Sequence, residues 1–300
     1  MASPLPLALV QTPANPGVDV DSFAADVERL ARLRPDVELF VYPELHLSSP
    51  TPRPARDSET VTPEELAEPL DGARDRLLAK LAGDLGIWLI PGTVYERGGG
   101  QQIYNTALVY SPAGRRVAAY RKIFPWRPYE TTTPGADFVV FDMDGHGRVG
   151  LSICYDAWFP EIARTLTWMG ADLIVNLVQT PSSDREQEVI LARATAITNQ
   201  IFVASVNAAA PTGVGRSLLV DPEGRVRTSA PSAEDCVLTD VIDLAEAARV
   251  RQYGTAGLNR PWNQFRPGDA PLDLPIYSGK IDPATWGAGN GAALLSEMEA

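Results

Sequence analysis

The sequence predicts a mixed α/β fold. Short runs rich in Val, Ile and Leu recur along the chain, separated by longer stretches with helical periodicity. Turns containing Gly, Pro and Asp join several neighbouring runs, so hairpins are mixed with strand–helix–strand units and the sheet is not purely parallel. No linker or internal repeat interrupts the 300 residues. One domain is therefore expected over residues 1–253, followed by a tail, 254–300, that packs on that domain or on a partner subunit.

Leu5–Gln11 opens the chain as an apolar strand, and Asp21–Leu33 follows with apolar residues at helical spacing. Val37–Tyr42 reads as a buried strand, and the Pro-rich stretch Ser49–Arg56 as a surface loop. Thr62–Leu85 reads as one helix, because Thr62-Pro-Glu-Glu65 has the capping-box form with proline at the first helical position. Strands are expected at Ile87–Tyr95, Thr106–Tyr110, Phe138–Phe141 and Val149–Cys154, with hairpin turns at Ser111–Gly114 and Met143–Gly147. The helix Phe159–Met169 ends at Gly170, where a C-cap glycine belongs. The strand Asp172–Leu177, the helix Ser183–Thr198 and the strands Phe202–Asn207, Ser217–Asp221 and Cys236–Asp243 complete the pattern, with a turn at Asp221–Gly224.

Composition narrows the function classes. The chain is 45% hydrophobic and 21% charged, enough to bury a sizeable core. Its net charge of −12 lacks the basic footprint that a phosphate backbone requires, so no nucleic-acid partner is expected. No apolar run approaches the roughly 18–20 residues that span a bilayer, and the N-terminus lacks a basic signal-peptide region, so no membrane role is expected. Cys154 and Cys236 are too few for a disulfide framework, which suits a reducing cytoplasm. Neither metal nor cofactor is expected, since the two histidines form no His/Cys cluster with zinc spacing.

Val149-Gly-Leu-Ser-Ile-Cys154 runs as a buried strand into a cysteine, and a helix begins a few residues later near Pro160. Such an elbow exposes a nucleophile while backbone N–H groups point at a developing oxyanion. A buried structural cysteine is the plainer reading of the same segment. A thiol with an ordinary pKa of about 8.5 needs a base or cation beside it. His46 and His146 are the histidine candidates for a protease-like pair, but His146 lies in a Gly-flanked turn and His46 has no acidic partner visible in the sequence. Carboxylate and lysine candidates are better placed. Glu44 ends the apolar run Phe40-Val-Tyr-Pro-Glu44, outside the carboxyl end of a strand, where α/β folds carry catalytic groups. Lys122 and Glu130 share the aromatic, Pro-rich segment Tyr120–Glu130. Each of these alone also reads as ordinary surface charge.

As a set, Tyr-Pro-Glu44, Tyr-Arg-Lys122 and Ile-Cys154-Tyr-Asp resemble, in order, the three signatures of the nitrilase superfamily of carbon–nitrogen hydrolases. Tyr104-Asn-Thr-Ala107, Phe159-Pro-Glu-Ile162, Gly170–Val175 and Gly215–Gly224 add to the likeness, which covers roughly residues 5–245. The eight-residue step from Lys122 to Glu130, followed by Pro134-Gly135, looks most like the aliphatic amidase and formamidase branch. The resemblance implies a four-layer α-β-β-α sandwich and no cofactor. It implies Glu44 as general base, Cys154 as nucleophile, Lys122 with the Tyr155 backbone N–H as oxyanion donors, and Glu130 orienting substrate and water. It also implies self-association as a homodimer or higher homo-oligomer.

Tyr42, Trp126, Tyr155, Trp158 and Asn176 are candidates to line the substrate pocket, since each lies beside a catalytic segment or at a strand end. Asp156 is a candidate to fix the elbow through local hydrogen bonds. The expected reaction is hydrolysis of a linear, non-peptide amide to a carboxylic acid and ammonia through a thioester acyl-enzyme. A nitrile, an N-carbamoyl compound, acyl transfer to an amine, and an idle binding member are the alternatives. Cys-Tyr-Asp differs from the Cys-Trp-Glu of true nitrilases and favours an amide. Val178–Asp184 and the tail around Leu258–Phe265 depart from the aliphatic amidases and argue against a substrate as short as formamide.

Overall fold

The computed structural model describes residues 3–14, 20–48, 62–282, 284–287 and 289. The loop expected at Ser49–Arg56 lies outside them. In chain order the first half comprises β1 (Leu5–Gln11), α1 (Val20–Leu33), β2 (Leu39–Val41), α2 (Pro63–Leu66), α3 (Ala73–Leu85), β3 (Trp88–Ile90), β4 (Thr93–Arg97), β5 (Ile103–Tyr110) and β6 (Arg116–Arg121). Next come β7 (Val140–Met143), β8 (Gly147–Ile153), a 3₁₀ turn (Cys154–Trp158), α4 (Pro160–Trp168), β9 (Leu173–Val178), α5 (Arg185–Asn199) and β10 (Phe202–Asn207). The chain closes with β11 (Leu218–Val220), β12 (Val226–Ser229), β13 (Cys236–Ile242), α6 (Ala245–Tyr253), β14 (Leu272–Leu274) and β15 (Gly279–Ile281).

Strand periodicity builds the layers. In β1, Leu5, Leu7 and Leu9 face one way and join Val149, Leu151, Val175 and Phe202 in a core shared by two sheets. Ala8 and Val10 face the other way and pack under α1 and α3 with Phe23, Val27 and Leu78. On the opposite side Ile174, Val203 and Val220 pack against Ile162, Leu166, Ala192 and Ala196 of α4 and α5. The result is the four-layer α-β-β-α sandwich. One sheet is ordered β13-β1-β2-β3-β5-β4, with β6 paired to β5, and the other β12-β11-β10-β9-β8-β7. β1, β2 and β3 are parallel neighbours, as are β8, β9 and β10, and the flanking pairs are antiparallel.

Two expected elements divide. The strand expected at Ile87–Tyr95 breaks at Pro91-Gly92 into β3 and β4. Gly92 has φ +90°, and a Cβ there would lie 2.0 Å from the Pro43 carbonyl oxygen, so only glycine allows this approach to the turn that carries Glu44. The helix expected at Thr62–Leu85 keeps its capping box at Thr62 but stops after α2. Glu68 then pairs along β4, donating its N–H to Tyr95 O and accepting from Arg97 N, and Gly72 starts α3. Tertiary pairing outweighs helix propensity here.

Beyond α6 the chain lies across α4 and the end of α5. The Trp262 indole N–H donates to Asn199 O at 3.1 Å and stacks on Trp286, and the Gly289 N–H reaches Trp168 O. No described helix is long and apolar enough to cross a membrane.

Candidate active site

The parallel strands β2, β8 and β9 deliver three segments to one place just beyond their carboxyl ends: Glu44, Cys154 and Gln179-Thr180. β6 ends one residue before Lys122, whose N–H bonds Asn105 O and whose C=O accepts from Gly135 N. The four residues singled out from the sequence therefore meet. Lys122 is 2% exposed, and its Nζ lies 3.1 Å from Glu44 Oε1 and 2.6 Å from Glu130 Oε2. The Gln179 backbone N–H donates to Glu44 Oε2 at 3.0 Å and also works to lower the pKa of the Cys154 thiol. One backbone group thus bears on both the carboxylate and the thiol.

Asn105 completes the carboxylate cluster. Its Nδ2 donates to Glu44 Oε1 at 2.8 Å and to Glu130 Oε1 at 3.1 Å. The Trp126 N–H and the Thr132 hydroxyl also donate to Glu130, each at 3.0 Å. Sequence reasoning passed over Asn105, yet the signal was there: a polar residue inside the otherwise strand-like Ile103–Tyr110, buried to 1%.

These contacts separate the roles of the two carboxylates. Burial raises the pKa of Glu44, with Glu130 adding to it, and the Lys122 charge recovers only part. For Glu130 burial also acts upward, but Lys122 and the donors from Trp126 and Asn105 outweigh it and hold the carboxyl below its ordinary value. Burial alone would lower Lys122, but Glu44, Cys154 and Glu130 hold it protonated. Burial raises the Cys154 thiol well above its ordinary value, Glu44 adding to the effect, so the resting sulfur is a neutral thiol. The arrangement is a thiol, a carboxylate able to take its proton, and a fixed cation.

Cys154 sits on the expected elbow with φ +47°, a left-handed conformation uncommon for a side chain with a Cβ, and Leu45, next to Glu44, has φ +49°. Asp156 is fully buried and holds the elbow. Its carboxylate accepts from Tyr120 OH at 2.7 Å, Phe124 N at 2.8 Å and Ile153 N at 3.0 Å. Burial lifts its pKa from 3.8 to about 6 despite those donors. Asp156→Ala is expected to lower stability by about 3 kcal/mol, because three buried donors lose their acceptor. Since the folded pKa is raised, the stabilisation linked to a protonated Asp156 is complete below pH 3.8 and is lost as pH rises through about 6. The stability advantage of wild type over Asp156→Asn should therefore shrink between these pH values; urea denaturation across that range measures it.

Cys154 opens into a cleft walled by Trp126, Tyr155 and Trp158 and by Gln179–Ser182, Asp184 and Glu188. Of the five residues expected to line a pocket, these three aromatics do so and two do not. Tyr42 is a correction. Strand alternation turns it away from the shared core, with Phe40, onto the helix side, where it packs 4.8 Å from Phe23 and 5.1 Å from His46. Asn176 is the other. Its Oδ1 accepts from the Ser152 hydroxyl at 3.1 Å, and it faces a small inner cavity under α4 and α5 instead of the cleft. Thr180 and Glu188, which sequence reasoning missed, do line the cleft. The Thr180 hydroxyl lies 3.8 Å from the Cys154 sulfur and donates to Glu188 Oε1 at 2.7 Å.

Neither histidine serves the thiol. His46 is stacked on Tyr42, and burial lowers its pKa to about 4. His146 precedes β8, the far end of the strand from Cys154, and bonds Ser3 O and Glu38. Among the described residues no group of three or more His, Cys, Asp or Glu side chains is arranged to hold a metal ion.

Residues 7–252 match the carbon-nitrogen hydrolase family. The human omega-amidase NIT2 is 34% identical over 208 residues, covering 63% of this chain and 73% of that protein. Nit3 of Saccharomyces cerevisiae, a member of branch 10 of the nitrilase superfamily, superposes with a TM-score of 0.72 at 25% identity, over 84% of this chain and 96% of that one. A cysteine-to-alanine mutant of the amidase from Nesterenkonia sp. AN1, in complex with butyramide, superposes with a TM-score of 0.67 at 25% identity, over 83% and 94% of the two chains. A glutamate-to-glutamine mutant of the same amidase, with the acetamide moiety of fluoroacetamide added covalently at its active-site cysteine, gives 0.68 at 25% identity over 86% and 96%. On fold, on the order of the three signature segments and on this match, the chain belongs to the carbon-nitrogen hydrolase family, within the nitrilase superfamily.

Proposed function

We propose that this protein hydrolyses a small linear amide to a carboxylic acid and ammonia, with Cys154 as nucleophile. The observation that carries the reading is the meeting of the three groups: Lys122 Nζ lies 3.1 Å from Glu44 Oε1, and the charges of both act on the Cys154 thiol. Glu44 takes the thiol proton, and the thiolate adds to the amide carbon. Negative charge then builds on the former carbonyl oxygen, where Lys122 and the Tyr155 N–H at the start of the 3₁₀ turn stabilise it. Protonated Glu44 gives its proton to the departing nitrogen. Ammonia leaves, and Cys154 keeps the acyl group as a thioester. A water deprotonated by Glu44 adds to the thioester, and the acid departs as the thiol is restored. The raised pKa of Glu44 suits these alternating steps, because a carboxyl poised nearer neutrality both accepts and returns the proton. Glu130, held ionised, keeps Lys122 charged and aimed.

Kinship with omega-amidases and with an amidase that holds butyramide supports an amide over other carbon–nitrogen bonds. The test is ammonia release from a panel of primary amides, nitriles and N-carbamoyl amino acids, with wild type and Cys154→Ala. Turnover of amides that vanishes in the variant is expected. Turnover confined to nitriles or N-carbamoyl compounds overturns the amide assignment, and undiminished turnover by the variant overturns the nucleophile.

A further inference from the structure

The cleft has a charge and a wall chemistry that discriminate among amides. Resting on the amide-hydrolase reading, we propose that the preferred substrates are linear amides whose far end carries a positive charge, ω-amino amides in particular, and that amides ending in a carboxylate are disfavoured.

Among the described residues lining the cleft there are two carboxylates, Asp184 and Glu188, and no lysine or arginine. The two buried cations behind the cleft are already engaged. Lys122 lies between Glu44 and Glu130, and no further anion is needed to neutralise it. Arg185, 1% exposed, spends its guanidinium on Glu188 Oε2 at 3.1 Å, Ser205 Oγ at 3.0 Å and the carbonyl oxygens of Ser205 and Arg216. It cancels the charge of Glu188 from behind and does not line the cleft. Asp184 is left over: an exposed carboxylate at the mouth that makes no ion pair with any described residue. The N-terminus of α5 would by itself favour an anion, but Asp184 at its cap and Glu186 and Glu188 in its first turn oppose that dipole.

The walls agree with this charge. Tyr155 and Trp158 stand with ring centroids 6.0 Å apart, and Trp126 faces the same space. Aromatic faces cover a methylene chain and attract an ammonium through the ring quadrupole, whereas the same faces repel a carboxylate. The net charge of −12 also steers cations toward the protein and repels anions. An ω-carboxylate amide entering this cleft would meet Asp184 with no counter-charge to bind it, and like-charge contacts of this kind reject a ligand.

The experiment is a comparison of kcat/KM for three near-isosteric amides: 4-aminobutanamide, pentanamide and succinamate, at low and moderate salt. The order expected is cation, neutral, anion. 4-Aminobutanamide should lead succinamate by at least about tenfold, with the gap narrowing as salt is added. Asp184→Lys, a change at an exposed site, should cut the ratio of 4-aminobutanamide to succinamate by about three- to tenfold or more, the scale of one partly solvated charge contact. Thermal melting establishes that the variant is folded. If succinamate is hydrolysed through Cys154 as well as 4-aminobutanamide or better, the charge preference is overturned and the amide-hydrolase reading stands. If none of the three is turned over and no acyl group reaches Cys154, that reading falls and the preference falls with it.

Discussion

Lys122→Met is expected to cut kcat by at least about a thousandfold and to lower stability by roughly 3–5 kcal/mol near neutral pH. Lys122 is the cation for two buried carboxylates, 3.1 Å from Glu44 and 2.6 Å from Glu130. Methionine fills much of the same volume, so the loss reports charge more than packing. Two carboxylates then face each other through Asn105 alone. The pull that held Glu130 low is gone, and both groups favour the protonated form when folded. The variant should therefore lose less stability at about pH 5 than at about pH 8, because its folded state then binds protons more tightly than its unfolded state. Urea denaturation at the two pH values, with steady-state kinetics on the best amide, checks both parts. Wild-type stability at the higher pH would mean that Lys122 does not compensate the pair.

The second large effect is expected of Glu44→Gln. This change keeps the shape and the Lys122 contact but removes the proton carrier from thiol activation, leaving-group protonation and water activation. Amide turnover should fall by about a hundred- to ten-thousandfold. The loss is uneven across steps, and that unevenness is diagnostic. A p-nitrophenyl ester needs no proton on its leaving group, so acylation of the variant should survive on it, slowly. Deacylation still needs a base, so release should stop near one p-nitrophenol per protein. Continued multiple turnover of the ester would contradict Glu44 as the base for water.

Much of the fold was legible because burial on both faces leaves a plain mark. β1 and β10 begin and end at the residues expected from their apolar runs, and the turns at Ser111–Gly114, Met143–Gly147 and Asp221–Gly224 each join an antiparallel pair. What escaped was half-exposed. β12 is four residues at a sheet edge with mostly exposed side chains, and α6 buries only Ala247, Val250 and Arg251 in a charged stretch. Neither carries enough apolar period to stand out. β6, with its alternating exposure, was implied by the hairpin turn before it but was not named.

The site followed the same logic. Glu44 and Cys154 stand at the ends of apolar strands, where a reactive or charged residue is conspicuous. Asn105 was passed over because its strand was expected to begin one residue later, at Thr106, and Thr180 and Glu188 because they come from a loop and a helix face joined to the cleft only by tertiary packing. Tyr42 failed for a geometric reason. Two residues from Glu44 along the chain is not proximity when alternation points the ring to the opposite face of the sheet.

The most direct test of the account is the intact mass of Glu44→Gln after exposure to p-nitrophenyl butyrate, followed by peptide mapping. The account predicts a single butyryl group, on the peptide that contains Cys154, and no adduct when Cys154→Ala is combined with Glu44→Gln. An acyl group that persists in the double variant, or that maps to the half-buried Cys236, would contradict Cys154 as the nucleophile.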